Sequence, residues 1–214
     1  MNSDEARSSA AAKIRELGHD FVARDLNDEQ FSKLSDHVDE MLAIVRTAKL
    51  RTRAVPRGSL EAFKMAVPQE GSVEKHQLFS DSVVSGGSNP MGLGGYLWRE
   101  GDAAAMQVTL GKAFEGVPGR AHGGIVAALI DETMGLVLAV NDVLAFTVQL
   151  DITYLAPAPI DQAIIARAWL ERRDGRKLFI SARVQANDTD VASAKALFLA
   201  VDPARFLEGI TALE

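Results

Sequence analysis

The segment Gly123-Gly124-Ile125-Val126-Ala127-Ala128-Leu129-Ile130-Asp131-Glu132-Thr133-Met134-Gly135, running on through Leu136 to Val140, constrains the chain more than any other. It reads as one helix that is apolar almost all round. From Ile125 to Val140 its only polar side chains are Asp131, Glu132 and Thr133, adjacent in the middle. A helix with no water-facing side has to be wrapped by the rest of the fold. Two carboxylates inside it cost stability unless they are paired or hydrogen-bonded. Either neighbours satisfy them or chemistry requires them.

The start of this helix carries a second signal. His122-Gly123-Gly124 follows Gly116-Val117-Pro118-Gly119, a turn-rich entry. The first N–H groups of a helix have no partners inside it and carry the positive end of its dipole. Glycines there let a ligand approach the backbone, so the end suits an anion or a polarised carbonyl oxygen. The competing reading is a tight strand-to-helix turn that needs glycine for packing. Gly124 and Asp131 are seven residues apart, so they share a face but stand about 10 Å apart along the axis. One carbonyl group cannot touch both in a single helix. If both act on it, donor and acid come from two antiparallel copies, which predicts a two-fold dimer with two equivalent sites.

The flanking chain supplies the wrapping. Met106, Val108 and Leu110 alternate with polar residues, as do Phe146, Val148, Leu150, Ile152 and Tyr154 with Thr147, Gln149, Asp151 and Thr153. Strands are also expected over 164–171, 177–186 and 191–201, with turns at Asp174-Gly175 and Asn187-Asp188 and with Pro203 closing the last. The order is strand, buried helix, then four antiparallel strands. The predicted fold is α+β, a curved antiparallel sheet around a long central helix, over residues 81–214. Residues 1–80 read as an N-terminal helical extension. A first helix is expected over 4–17, ending at Gly18. A second, capped by Asn27 or Asp28, carries the stripe Phe31, Leu34, Val38, Met41, Leu42 and Val45. These helices pack on the sheet or a dimer, or cover an acyl tunnel. Arg46, Lys49, Arg51, Arg53 and Arg57 form a basic run, read as a solvated face or as a help in holding phosphates. Residues 80–103, rich in glycine, are expected to be a loop.

Composition narrows function by exclusion. The net charge is −6 over 214 residues, which argues against general nucleic-acid binding. There is no cysteine, so thiolate chemistry and cysteine metal sites are excluded, and His19, His37, His76 and His122 show no metal spacing. The core helix is judged too short to span a membrane, and the N-terminus lacks a secretory pattern, so a cytoplasmic protein is expected.

His122-Gly123-Gly124 with Asp131 nine residues after the histidine resembles the hotdog-fold acyl-CoA thioesterases, in particular the phenylacetate-catabolism and thioesterase-superfamily-member types. Further strings agree in the same order: Asn89-Pro90-Met91-Gly92-Leu93, Phe114-Glu115-Gly116-Val117-Pro118-Gly119, Thr147 with Ile152-Thr153-Tyr154-Leu155-Ala156-Pro157, and Gly175-Arg176-Lys177-Leu178-Phe179. The likeness covers roughly residues 87–203. It implies hydrolysis of acyl-CoA to a free acid and coenzyme A by a homodimer or a dimer of dimers. No metal or redox cofactor is implied, since coenzyme A is part of the substrate. Asp131 is then the catalytic acid, as general base or nucleophile, and Gly124 the backbone donor to the thioester oxygen. His122 orients the turn or bonds to the thioester itself, and Thr147 works with the aspartate. Gly123 and Asn89 line the substrate, while Gly175, Arg176 and Lys177 lie by the coenzyme A phosphates. Glu132, about 100° round the helix, is read as a structural partner. Two alternatives stay open: a hotdog-fold enoyl-acyl hydratase or dehydratase, and a non-catalytic acyl-CoA-binding dimer.

Overall fold

The computed structural model describes residues 3–51, 70 and 80–202. Arg53 and Arg57 of the basic run, His76 and Pro203 lie outside them. Helix α1 (Ser3–Ala23) and helix α2 (Asp28–Arg46) come first. Strands β1 (Tyr96–Glu100), β2 (Ala103–Thr109), β3 (Glu115–Val117) and β4 (Arg120–Ala121) then lead into helix α3 (Gly123–Val140). Strands β5 (Ala145–Tyr154), β6 (Ala163–Asp174), β7 (Lys177–Ala186) and β8 (Thr189–Ala200) follow. Six strands form one antiparallel sheet in the order β1-β2-β6-β7-β8-β5, and β3 pairs with β4 alone.

The sheet curves around α3. Nine of the helix's 18 residues are buried, among them Leu129, Ile130, Met134 and Leu136, which are fully inaccessible. They meet the inward alternation of β2, β6, β7 and β8, including Met106, Ile164, Ile180 and Phe198. By length and composition alone α3 does reach the lower bound for a membrane-crossing helix, contrary to the sequence expectation. Its burial identifies it as the core helix of the sheet.

One face of α3 is left open. Gly124, Ala127, Ala128, Asp131 and Gly135 fall within one narrow arc and are only partly covered or exposed. A Cβ added at Gly135 would meet nothing within 4 Å.

Three expectations need correction. Residues 96–100 are not loop but strand β1, which returns through a turn at Gly101-Asp102 so that Glu100 pairs with Ala103. The glycines at 92, 94 and 95 mask its short alternation. Helix α1 does not stop at Gly18 but runs to Ala23. Glycine costs about 0.5–1 kcal/mol in a helix interior, which the tertiary contacts of α1 outweigh. The β6–β7 turn is Gly175-Arg176 rather than Asp174-Gly175, because Asp174 pairs with Lys177. Gly175 takes φ +56° there, a left-handed conformation that glycine adopts without strain.

The phase of β5 also differs from the sequence reading. Gln149, Asp151 and Thr153 pair with Leu197, Lys195 and Ser193, on the side of the sheet away from α3. A bulge between Thr147 and Gln149 then inserts Val148 as an extra residue. Thr147 consequently pairs with Phe198, which lies under the helix at 2% exposure. The bulge therefore re-aims Thr147 toward α3 and sends Phe146, paired with Leu199, to the outer side. Strict alternation would have placed these two residues the other way round.

Helix α1 docks on loops rather than on the sheet. Arg15 donates to the carbonyls of Asn89 and Gly87, and the Ser8 and Ser88 hydroxyls share a hydrogen bond of 3.0 Å. His19 stacks edge-on against Phe114, and its Nδ1 accepts the Ala113 N–H at 3.1 Å. Helix α2 begins with a capping box between Asn27 and Gln30 and has no buried residue. Its Phe31 meets Phe21 of α1 edge-on.

Burial, then the nearby Arg15 charge, holds the His19 ring below its usual value of 6.5, against the opposing pull of Asp161 and Asp20. The folded chain thus prefers neutral His19, and its stabilisation is complete above pH 6.5 and lost as pH falls below it. We expect the melting temperature to drop between pH 7.5 and pH 5.5 more steeply in the wild type than in His19→Gln, as read by circular dichroism.

Candidate active site

The entry to α3 is pinned from three directions. The Ala121 N–H donates to Ala158 O at 2.9 Å, and the His122 N–H donates to Phe114 O at 2.8 Å. A Cβ at Gly116 would stand 3.0 Å from His122 Cα, so glycine is what allows this close approach. The Glu115 carboxyl accepts the Gly119 N–H and pairs with Lys112, and these two bonds hold it below the usual carboxylate range.

His122 is the N-cap of α3. Its Nδ1 accepts the Gly124 N–H at 3.0 Å. Only a neutral imidazole carrying its proton on Nε2 can do this. The backbone donor that the sequence leaves open for a ligand is therefore occupied by a side chain in the free protein. A Cβ at Gly124 would come within 3.1 Å of the same ring nitrogen.

About two turns along the helix, Thr147 Oγ1 donates to Asp131 Oδ1 at 2.9 Å. That leaves Asp131 Oδ2 without a partner among the described residues. Glu132 points elsewhere. Its Oε1 accepts from the Ser82 hydroxyl at 2.8 Å, from the Ser85 N–H at 3.3 Å and from the Ser85 hydroxyl. The two carboxylates of the core helix are thus satisfied differently: Glu132 fastens the 80–95 loop, while Asp131 keeps one oxygen open. Removing the Glu132 carboxylate strands two serine hydroxyls beside the core, a loss of about 2–4 kcal/mol. We expect Glu132→Ala to lower the midpoint of urea unfolding accordingly, with Glu132→Gln recovering part of the loss.

Other sequence candidates lie apart from this pair. Asn89 spends its side chain inside its own loop, accepting from the Met91 N–H at 2.9 Å and donating to Asp81 O at 3.2 Å. At the β6–β7 tip, Arg176 donates to Ala200 O at 2.9 Å and Arg173 to Gly175 O at 3.2 Å. Arg172 lies 3.9 Å over the Phe179 ring, and Lys177 has no partner among the described residues. Register sets where this tip stands. Lys177 pairs with Leu199 and Leu178 with Phe198, the partner of Thr147, so the tip shares an end of the sheet with Thr147.

Two residues missed by sequence reasoning join the helix entry. Tyr154, paired with the buried Ala192, faces α3 and donates its hydroxyl to Gly123 O at 2.9 Å. Beside it is a cleft of about 420 Å³ lined by Val126, Val191, Leu155, Pro157 and Arg120. Tyr154 had looked like one more apolar position of an alternating strand. Arg120 carried no signal.

Known proteins resemble the chain at these same elements. The thioesterase superfamily profile matches residues 118–193, which span α3 and much of the sheet. The acyl-coenzyme A thioesterase THEM4 of Mus musculus is 40% identical over 95 residues, and its Rattus norvegicus counterpart is 36% identical. Each match covers 44% of this chain and 41% of the relative, so less than half of either. The acyl-coenzyme A thioesterase THEM5 of Homo sapiens is 32% identical over 85 residues, 40% of this chain and 34% of the relative. A solved thioesterase superfamily protein superposes over 90% of both chains with a TM-score of 0.73 and 20% identity, which establishes a shared fold. The helix and sheet that carry Asp131 and the glycine turn thus have a hotdog fold, and residues 118–193 are similar to the thioesterase superfamily.

Proposed function

We propose that this protein hydrolyses acyl-CoA thioesters, with two sites formed between two copies of the chain. The observation that carries the reading is Asp131 with one oxygen held by Thr147 and the other open, on the uncovered face of α3. The glycine entry lies on that same face, about 10 Å along the axis. Ala127 and Ala128 lie midway, so two helices can approach closely and antiparallel, and Gly124 of each then faces Asp131 of the other. The acyl-coenzyme A thioesterase names of the relatives support the substrate class.

In this arrangement the thioester oxygen replaces His122 Nδ1 on the Gly124 N–H, where it gains charge in the transition state. Asp131 takes a proton from water as that water attacks the carbonyl carbon, and the C–S bond then breaks as this proton passes from Asp131 to the departing sulfur, leaving the coenzyme A thiol, the free acid and an ionised Asp131. Direct attack by the carboxylate would give the same products through an anhydride, and single turnover in ¹⁸O water separates the routes. Lys177, at the same sheet end as Thr147, is available to the nucleotide phosphates.

The test is thiol release from acyl-CoA esters running from acetyl to palmitoyl, with phenylacetyl included. Hydrolysis of at least one, at a rate set by acyl length, supports the reading. Binding of all without turnover would make the protein a sensor or scaffold, and hydration of crotonyl-CoA would make it a hydratase.

A further inference from the structure

We propose that Tyr154 is a positioning residue for the thioester-binding turn, acting through the peptide group between Gly123 and Gly124. This rests on the hydrolytic reading above. The Tyr154 hydroxyl donates to Gly123 O at 2.9 Å. That carbonyl and the Gly124 N–H belong to one planar peptide unit and point in opposite directions. A bond that fixes the oxygen therefore fixes the direction of the N–H. Donation to the carbonyl also polarises the unit and makes its N–H a stronger donor.

Packing agrees with this assignment. The ring lies close enough to Gly123 that a Cβ there would stand 3.4 Å from both Cζ and the hydroxyl. Strand register orients it, since Tyr154 pairs with the buried Ala192 on the helix side of the sheet. The hydroxyl is committed to the backbone, so it is not a proton donor to substrate. A single strand, β5, thus bonds to the glycine entry of α3 through Tyr154 and to Asp131 through Thr147. The bulge at Val148 is what allows both contacts from one strand.

The experiment is Tyr154→Phe in the full chain, which keeps the ring and removes the bond. Polarisation and orientation together predict a fall in kcat of about two- to tenfold with KM changed less than twofold. The Gly124 amide proton of the ligand-free protein should move upfield in a ¹H–¹⁵N correlation spectrum. The melting temperature and the fraction folded are measured alongside, so that turnover is counted per folded molecule. Wild-type kcat per folded molecule, or an unmoved Gly124 amide, overturns the proposal. If the wild type hydrolyses no thioester, the hydrolytic reading has failed, and the amide shift alone then decides whether Tyr154 acts on this peptide. Tyr154→Leu, which also removes the ring, separates packing from the hydroxyl: a loss seen in Leu but absent in Phe again overturns it.

Discussion

Asp131→Asn is expected to lower kcat by about 10²–10⁴-fold on whichever acyl-CoA the wild type hydrolyses best, while KM and the fold persist. Asparagine is nearly isosteric, and its Oδ1 still accepts from the Thr147 hydroxyl in the 2.9 Å contact. What disappears is the charge and with it the ability to accept a proton or attack a carbonyl. The melting temperature should hold or rise slightly, because a half-buried charge has been removed. Steady-state thiol release and thermal unfolding measure both sides. Retained turnover would remove Asp131 from the chemistry, and collapse of the fold would assign it to structure.

The second large effect is expected from Ala127→Arg. Ala127 lies on the uncovered arc of α3 between Gly124 and Asp131, where two antiparallel helices would cross. A long cation there bars close approach of the backbones. The protomer itself should tolerate it, because Ala127 is only partly covered by its own chain. Sedimentation is expected to show a monomer with native circular dichroism, and thiol release should fall at least about 10²-fold, because each site loses the donor or the acid supplied by its neighbour. A monomer with full activity would mean that one chain contains a whole site.

The core of the fold was legible because its signal is local. An apolar 18-residue run needs an apolar surrounding on every side, and alternation with turn residues announced the strands β5 through β8 that wrap it. What escaped depends on contacts between distant residues or on small departures from regularity. The partners of Glu132, Ser82 and Ser85, stand 50 and 47 residues away, so the sequence announced a need without naming what met it. The bulge at Val148 carries no composition signal, yet it decides which face Thr147 takes. Tyr154 was hidden by its own regularity in the alternation. His122 illustrates the opposite case. The motif was plain, but only coordinates reveal that its ring fills the Gly124 donor in the free chain.

The claim that donor and acid belong to different copies has one direct test. Gly124→Pro removes the N–H within the first turn of α3, where it has a side-chain and not a backbone acceptor, and Asp131→Asn removes the acid. Each homodimer should be inactive. Refolded together in equal amounts, half the dimers are mixed, and each mixed dimer has one intact site and one doubly defective site, so about a quarter of wild-type activity returns. A mixture as inactive as its parents, with mixed dimers demonstrated by mass spectrometry, would contradict the account.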